Sequence, residues 1–98
     1  MKMLETIHLR SHGEPIESLI NQILQSVEGK LRENKVVTLY RRTGLKTDIA
    51  VHIQCRESKE EGPSEIGIQL ASALKTFGLV KHTIWEEMNS TVVKKKEK

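Results

Sequence analysis

Between Val36 and Arg56 the chain reads VVTLYRRTGLKTDIAVHIQCR, and its apolar positions recur every second residue. Ile49, Val51, Ile53 and Cys55 alternate with Asp48, Ala50, His52, Gln54 and Arg56, the period of a strand with one buried face. Upstream, Val37 and Leu39 fall on one side, while Val36, Thr38, Tyr40 and Arg42 fall on the other. The intervening residues 43–47, TGLKT, supply a turn in which Gly44 can take a positive φ without steric cost. Closing that loop with Thr43 opposite Thr47 sets Leu39 across from Val51 and Tyr40 across from Ala50. A slip of one residue would mix the two faces. The hairpin is therefore the framework on which the other elements are placed.

Residues 3–11, MLETIHLRS, form the first predicted strand, with Met3, Ile7 and Leu9 on one side and Leu4, Thr6, His8 and Arg10 on the other. His12-Gly13-Glu14-Pro15 breaks it, and proline suits the first turn of a helix. Ile16, Leu19, Ile20, Ile23, Leu24 and Val27 then recur at helical spacing on a single stripe. That helix ends either at Gly29 as a C-cap or, with Leu31 continuing the stripe, at Asn34. Residues 58–63, SKEEGP, read as a polar loop. Ser64 is a good N-cap for a second helix with Glu65 in its first turn. Its predicted stripe is Ile66, Leu70, Ala73, Leu74 and Phe77, with Gly78-Leu79 matching a Schellman stop. Residues 80–88, VKHTIWEEM, form the last predicted strand.

The element order is β-α-β-β-α-β. Two split β-α-β units with right-handed crossovers give an α+β, ferredoxin-like domain: a four-stranded antiparallel sheet in the order 4-1-3-2, with both helices on one face. The domain spans residues 1–89, and 90–98 form a lysine-rich tail expected to be disordered. Odd-numbered residues of the first three strands face the helices. The opposite face carries Leu4, Thr6, His8, Thr38, Tyr40, Ala50, His52 and Gln54. The fourth strand adds either Thr83 and Trp85 or His82 and Ile84; the first pair is preferred because Val80, Ile84 and Met88 suit the helix side. Such a face is too apolar to stay bare and too polar for an ordinary core. A second copy, related by a two-fold axis, is the simplest cover.

This topology, over residues 3–88, resembles the dimeric α/β-barrel superfamily, small ferredoxin-like domains that pair sheet to sheet around a pocket. Within it the chain looks most like stand-alone proteins of the antibiotic-biosynthesis-monooxygenase type. The resemblance implies a homodimer and, where activity is known, cofactor-free oxygenation of quinol-like or polyketide substrates. No motif matches a catalytic set residue by residue, so none is carried over. LYRRTGLKTDIAVHI also resembles the hairpin of small-ligand-sensing regulator domains in the same superfamily, although the helix-turn-helix such regulators carry is missing here.

Composition narrows the field. The chain has 98 residues, 37% hydrophobic and 30% charged, the profile of a single soluble domain. MKMLETIHLR lacks the apolar core of a signal peptide, and one cysteine, Cys55, allows no internal disulfide; a cytoplasmic setting is expected. Cys55 shares a side with Ile49, Val51 and Ile53 and reads as a small buried hydrophobe. The net charge of +3 equals that of the tail KKKEK alone, so the remainder balances; a nucleic-acid footprint is not expected. RNA-recognition motifs of this topology need aromatics on the central strands, and TIHL and DIAVHIQC contain no Phe, Tyr or Trp. Paired metal-binding cysteines, a Gly-rich phosphate loop and a G-x-S-x-G elbow are all absent from the sequence. No cofactor and no resident metal are expected.

The candidate ligand-binding residues are His8, Tyr40, His52, Gln54 and Trp85. By parity His8 and His52 share the open face on adjacent strands, where they could serve as a base or hydrogen-bonding set for a phenolic ligand. The plainer reading is that they bond each other, Thr38 or a partner subunit. A metal site lacks a clearly placed third ligand, His82 being the nearest candidate. Trp85 reads as an interface anchor before a pocket wall. Arg41, Arg42, Lys46 and Arg56 cluster at the hairpin ends, more simply a solvated basic rim than an anion site. Three functions remain: a small-molecule-binding dimer, a cofactor-free oxygenase with His8, His52, Tyr40 and Trp85 in its pocket, or a purely structural dimer.

Overall fold

The computed structural model describes residues 2–13, 16–27, 35–55 and 62–93. Its elements follow the order β1 (Met3–Ser11), α1 (Ile16–Val27), β2 (Lys35–Arg41), β3 (Asp48–Cys55), α2 (Glu65–Leu74) and β4 (Gly78–Glu86). The four strands form one antiparallel sheet ordered β2-β3-β1-β4, the predicted ferredoxin-like order read from the other edge. Leu39 pairs with Val51 and Tyr40 with Ala50, so the hairpin register is the one set by alternation. Gly44 takes φ 82°, and Leu45 N–H donates to the Arg42 carbonyl at 3.2 Å.

Both helices cover one face. Ile7, Leu9, Ile49, Val51 and Ile53 of the strands meet Leu19, Ile23 and Val27 of α1 and Leu70, Ala71 and Leu74 of α2 in one buried cluster. Burying side chains of this size contributes on the order of 2 kcal/mol each before entropic losses, which fixes which face of the sheet is inside. Ser64 caps α2: its Oγ accepts from Gly67 N–H at 2.9 Å.

Several sequence expectations are corrected. The α2 stripe is rotated: Gly67 and Ala71 are buried with Leu70 and Leu74, whereas Ala73 and Phe77 are exposed. The Schellman stop does not form. The helix closes at Lys75 in right-handed geometry, and Gly78 instead opens β4 opposite Ser11. A Cβ on Gly78 would stand 2.0 Å from the Arg10 carbonyl oxygen, so this glycine serves a close strand approach. β4 ends at Glu86, leaving Met88 95% exposed beyond the sheet. The alternative stops predicted for the first helix, Gly29 and Asn34, lie outside the described residues, as do Pro15, Arg56, most of the 58–63 loop and residues 94–98; residues 87–93 carry no regular structure.

Candidate functional site

The ladder pairings set the open face out as four rows across the order β2, β3, β1, β4. The row at the hairpin end holds Arg42, Asp48, Arg10 and Leu79, and the next holds Tyr40, Ala50, His8 and Lys81. Then come Thr38, His52, Thr6 and Thr83, and finally Val36, Gln54, Leu4 and Trp85. Trp85 is thus on the open face, as preferred from the sequence, and its Nε1–H donates to Thr83 Oγ1 at 3.0 Å. Thr83 in turn is hydrogen-bonded to Thr6 across the β1–β4 pair.

Ala50 is the smallest side chain in this array. Around it stand Tyr40 on one side, His8 on the other, His52 one step along and Asp48 one step back. Diagonal neighbours on a sheet face lie within reach of ring side chains, and the rings do meet: Tyr40 and His52 centroids are 4.7 Å apart at 55°, and His8 and His52 are stacked at 6.3 Å. The gap over Ala50 opens into a depression of about 550 Å³ bordered by His8, Tyr40, Ala50 and Leu79. His52 is held below the ordinary imidazole pKa, first by burial and second by the charge on His8. It is therefore biased toward the neutral form, which can accept a proton or a hydrogen bond.

Charge is gathered at one end of this hollow. Arg42 Nη1 lies 3.3 Å from Asp48 Oδ2, and Arg10 Nε lies 3.6 Å from Asp48 Oδ1. Lys81 borders the hollow beside His8. Asp48 Oδ1 is buried and accepts no hydrogen bond among the described residues; its contact with Arg10 is at ion-pair distance only.

The five predicted residues are not brought together as one set. His8, His52 and Tyr40 converge. Gln54 and Trp85 lie at the far end, where Leu4, Gln54, Cys55 and Trp85 border a separate depression of about 480 Å³. Trp85 pairs with Leu4, four residues along β1 from His8, a separation of about 13 Å at the rise of a strand. The threonine row, in which His52 itself stands, lies between the two ends, so Gln54 is one row from His52 and two from His8 and Tyr40.

His82 is turned to the helix side. Its Nε2 lies 2.5 Å from Glu5 Oε2, while Glu5 Oε1 accepts from Ser64 N–H at 3.2 Å and Ser64 Oγ–H at 2.6 Å. Glu5 is 6% exposed. The sequence reading passed over it, although a carboxylate at an odd position among Met3, Ile7 and Leu9 was a legible anomaly. The void beside it, about 70 Å³, has room for a few waters and no ring. The open face is therefore where a ligand of ring size fits. Among the described residues no three His, Cys, Asp or Glu side chains converge as a metal cluster, and no helix is long and apolar enough to cross a membrane.

The topology and the helix-free sheet face together define a ferredoxin-like α+β domain with an uncovered, mixed-polarity face. Neither the family models nor the curated proteins provide a match to the chain. Among solved structures the chain is similar to SnoaB, a cofactor-independent oxygenase from Streptomyces nogalater, with a TM-score of 0.63 and 14% identity. The likeness covers 91% of this chain and 95% of that one, so the fold is shared nearly end to end.

Proposed function

We propose that the protein binds a small aromatic molecule in the hollow over Ala50, and that a second copy of the chain closes the remainder of the open sheet face. The convergence of the Tyr40, His52 and His8 rings around the smallest side chain of that face carries this reading. Ring walls with a few polar groups are the usual make-up of a small-molecule site. Closure by a partner is supported by Val36, Tyr40, Leu79 and Trp85, each 50% exposed or more on one face, a concentration that soluble monomers seldom leave uncovered.

Native mass spectrometry of the purified protein tests both parts. The expected species is a dimer carrying extra mass that is lost on denaturation, with Ala50→Leu, which fills the hollow, remaining dimeric without that mass. A dimer with no extra mass, and no binding of added aromatic probes, would leave a structural role for the face. A monomer would overturn the closure.

A second reading, a cofactor-free oxygenase, is favoured by the fold shared with SnoaB and by a neutral-biased histidine, His52, set against His8 and Tyr40 at the border of the hollow. His52 would then accept the proton of a phenolic substrate as general base. Oxygen uptake with a hydroquinone such as 1,4-naphthalenediol, lost in His52→Gln, is the expected outcome; uptake equal in wild type and variant would remove the enzyme reading.

A further inference from the structure

Resting on the hollow over Ala50 as the binding site, we infer that its ligand is a planar anion: an aromatic ring carrying a carboxylate or a group of like charge. Tyr40 and His8 stand on strands separated by β3 alone, about 10 Å apart at the usual strand spacing, and this width admits one flat ring lying on Ala50. One carboxylate, Asp48, is shared by two guanidiniums, Arg10 and Arg42. The side chains of these arginines are 65% and 62% exposed, so donors remain to be offered to a ligand, and Lys81 adds a third cation on the adjacent row. The surplus is local. Outside the tail the chain's acidic and basic residues balance, and the far end of the same face is bordered by Lys2 against Glu86 and Glu87. A single exposed arginine specifies little, but forked guanidiniums beside a ring slot recognise a carboxylate with both charge and direction.

The test uses three probes sharing one ring, 2-naphthoate, 2-naphthamide and (2-naphthyl)methylammonium. Each is titrated into the full chain while the Ala50 methyl and the His8 and His52 ring signals are followed by NMR. Naphthoate is expected to bind about tenfold more tightly than naphthamide, and the cation more weakly than either. That advantage should shrink toward unity in about 1 M salt, where the screening length is near 3 Å. It should also vanish in the Arg42→Gln/Lys81→Gln double variant, where the naphthoate and naphthamide affinities are compared with each other within the variant. Equal binding of naphthoate and naphthamide, with the Ala50 methyl shifted by both, would overturn the anion class and leave the hollow standing. Failure of every probe to shift Ala50 or the two histidines would overturn the hollow itself. Ala50→Leu separates the two cases further, since it should abolish the His8 and His52 shifts with every probe without touching the cations.

Discussion

The two faces of this sheet treat histidine in opposite ways. On the covered face His82 meets Glu5, and Glu5 also receives the N–H and hydroxyl of Ser64, the N-cap of α2. Glu5 works within the fold: it fixes the start of a helix against the sheet. On the open face His8 and His52 meet each other and Tyr40, no acid among the described residues joins them in a metal-like cluster, and solvent reaches them. The same residue type is structural where a buried carboxylate claims it, and is available for a ligand where its neighbours are Tyr40 and Ala50. Burial and partner, not residue identity, separate the roles.

The covered-face network should dominate stability. Glu5→Ala leaves His82 without its partner and Ser64 without its acceptor, and polar groups left unsatisfied in a buried cluster cost about 3 kcal/mol. Urea denaturation should show this loss; a change under about 0.5 kcal/mol would mean that the cluster contributes nothing. Gly67→Ala sharpens the point because local propensity predicts the opposite sign. In an ordinary helix interior alanine is favoured over glycine by about 1 kcal/mol. Here the new Cβ would fall 1.6 Å from Glu5 Oε2 and displace the carboxylate, so a loss of about 2 kcal/mol is expected, comparable to leaving a buried polar group unsatisfied. In the Glu5→Ala background the same change should become neutral or stabilising. A stabilising effect with Glu5 still in place would break the account.

Much of this architecture was legible in the alternation itself. A strand's period of two leaves no freedom about which residues share a face, so the facing of His8, Tyr40 and His52 followed from parity, the β2–β3 register from parity together with the closure of the turn, and the order of the sheet from right-handed crossovers. Helix α2 was less legible because its buried stripe includes Gly67 and Ala71. Small residues carry little hydrophobic signal, and Glu5 rather than apolar bulk dictates the glycine. That Gln54 lies further along β3 than His52 was legible, but the distance of Trp85 from the histidines was not, because parity assigns a face but not a position along it, which for Trp85 depends on the β1–β4 register. Ala50 as the centre of the hollow was hidden too, since a cavity is marked by the size of its neighbours.

The open face should respond in association rather than in folding. Trp85 is 58% exposed and held in place by the Thr6–Thr83 pair, the form of an anchor awaiting a partner surface. Trp85→Ala is expected to weaken the proposed dimer by about 1.4 kcal/mol, a tenfold rise in its dissociation constant, while the unfolding free energy of the monomer moves little. Sedimentation at a series of concentrations reads the first quantity and denaturation at low concentration the second. An unchanged dimer constant would remove Trp85 from the interface.

The smallest effect is the pH response of His52, and its sign is fixed. A histidine held below its ordinary value of 6.5 takes up fewer protons folded than unfolded, so stability rises with pH across the window between the two values. Its contribution is complete above the unfolded value and is lost as pH falls through 6.5 toward the lower folded value. His52→Gln should flatten that part of the stability profile, leaving the part that belongs to other groups. His8→Gln should do less: burial is the larger cause of the shift and the His8 charge the smaller, so an NMR titration should show the His52 midpoint moving only part of the way back. A full return to the ordinary value would make the neighbouring charge the main cause and His52 an essentially solvated side chain.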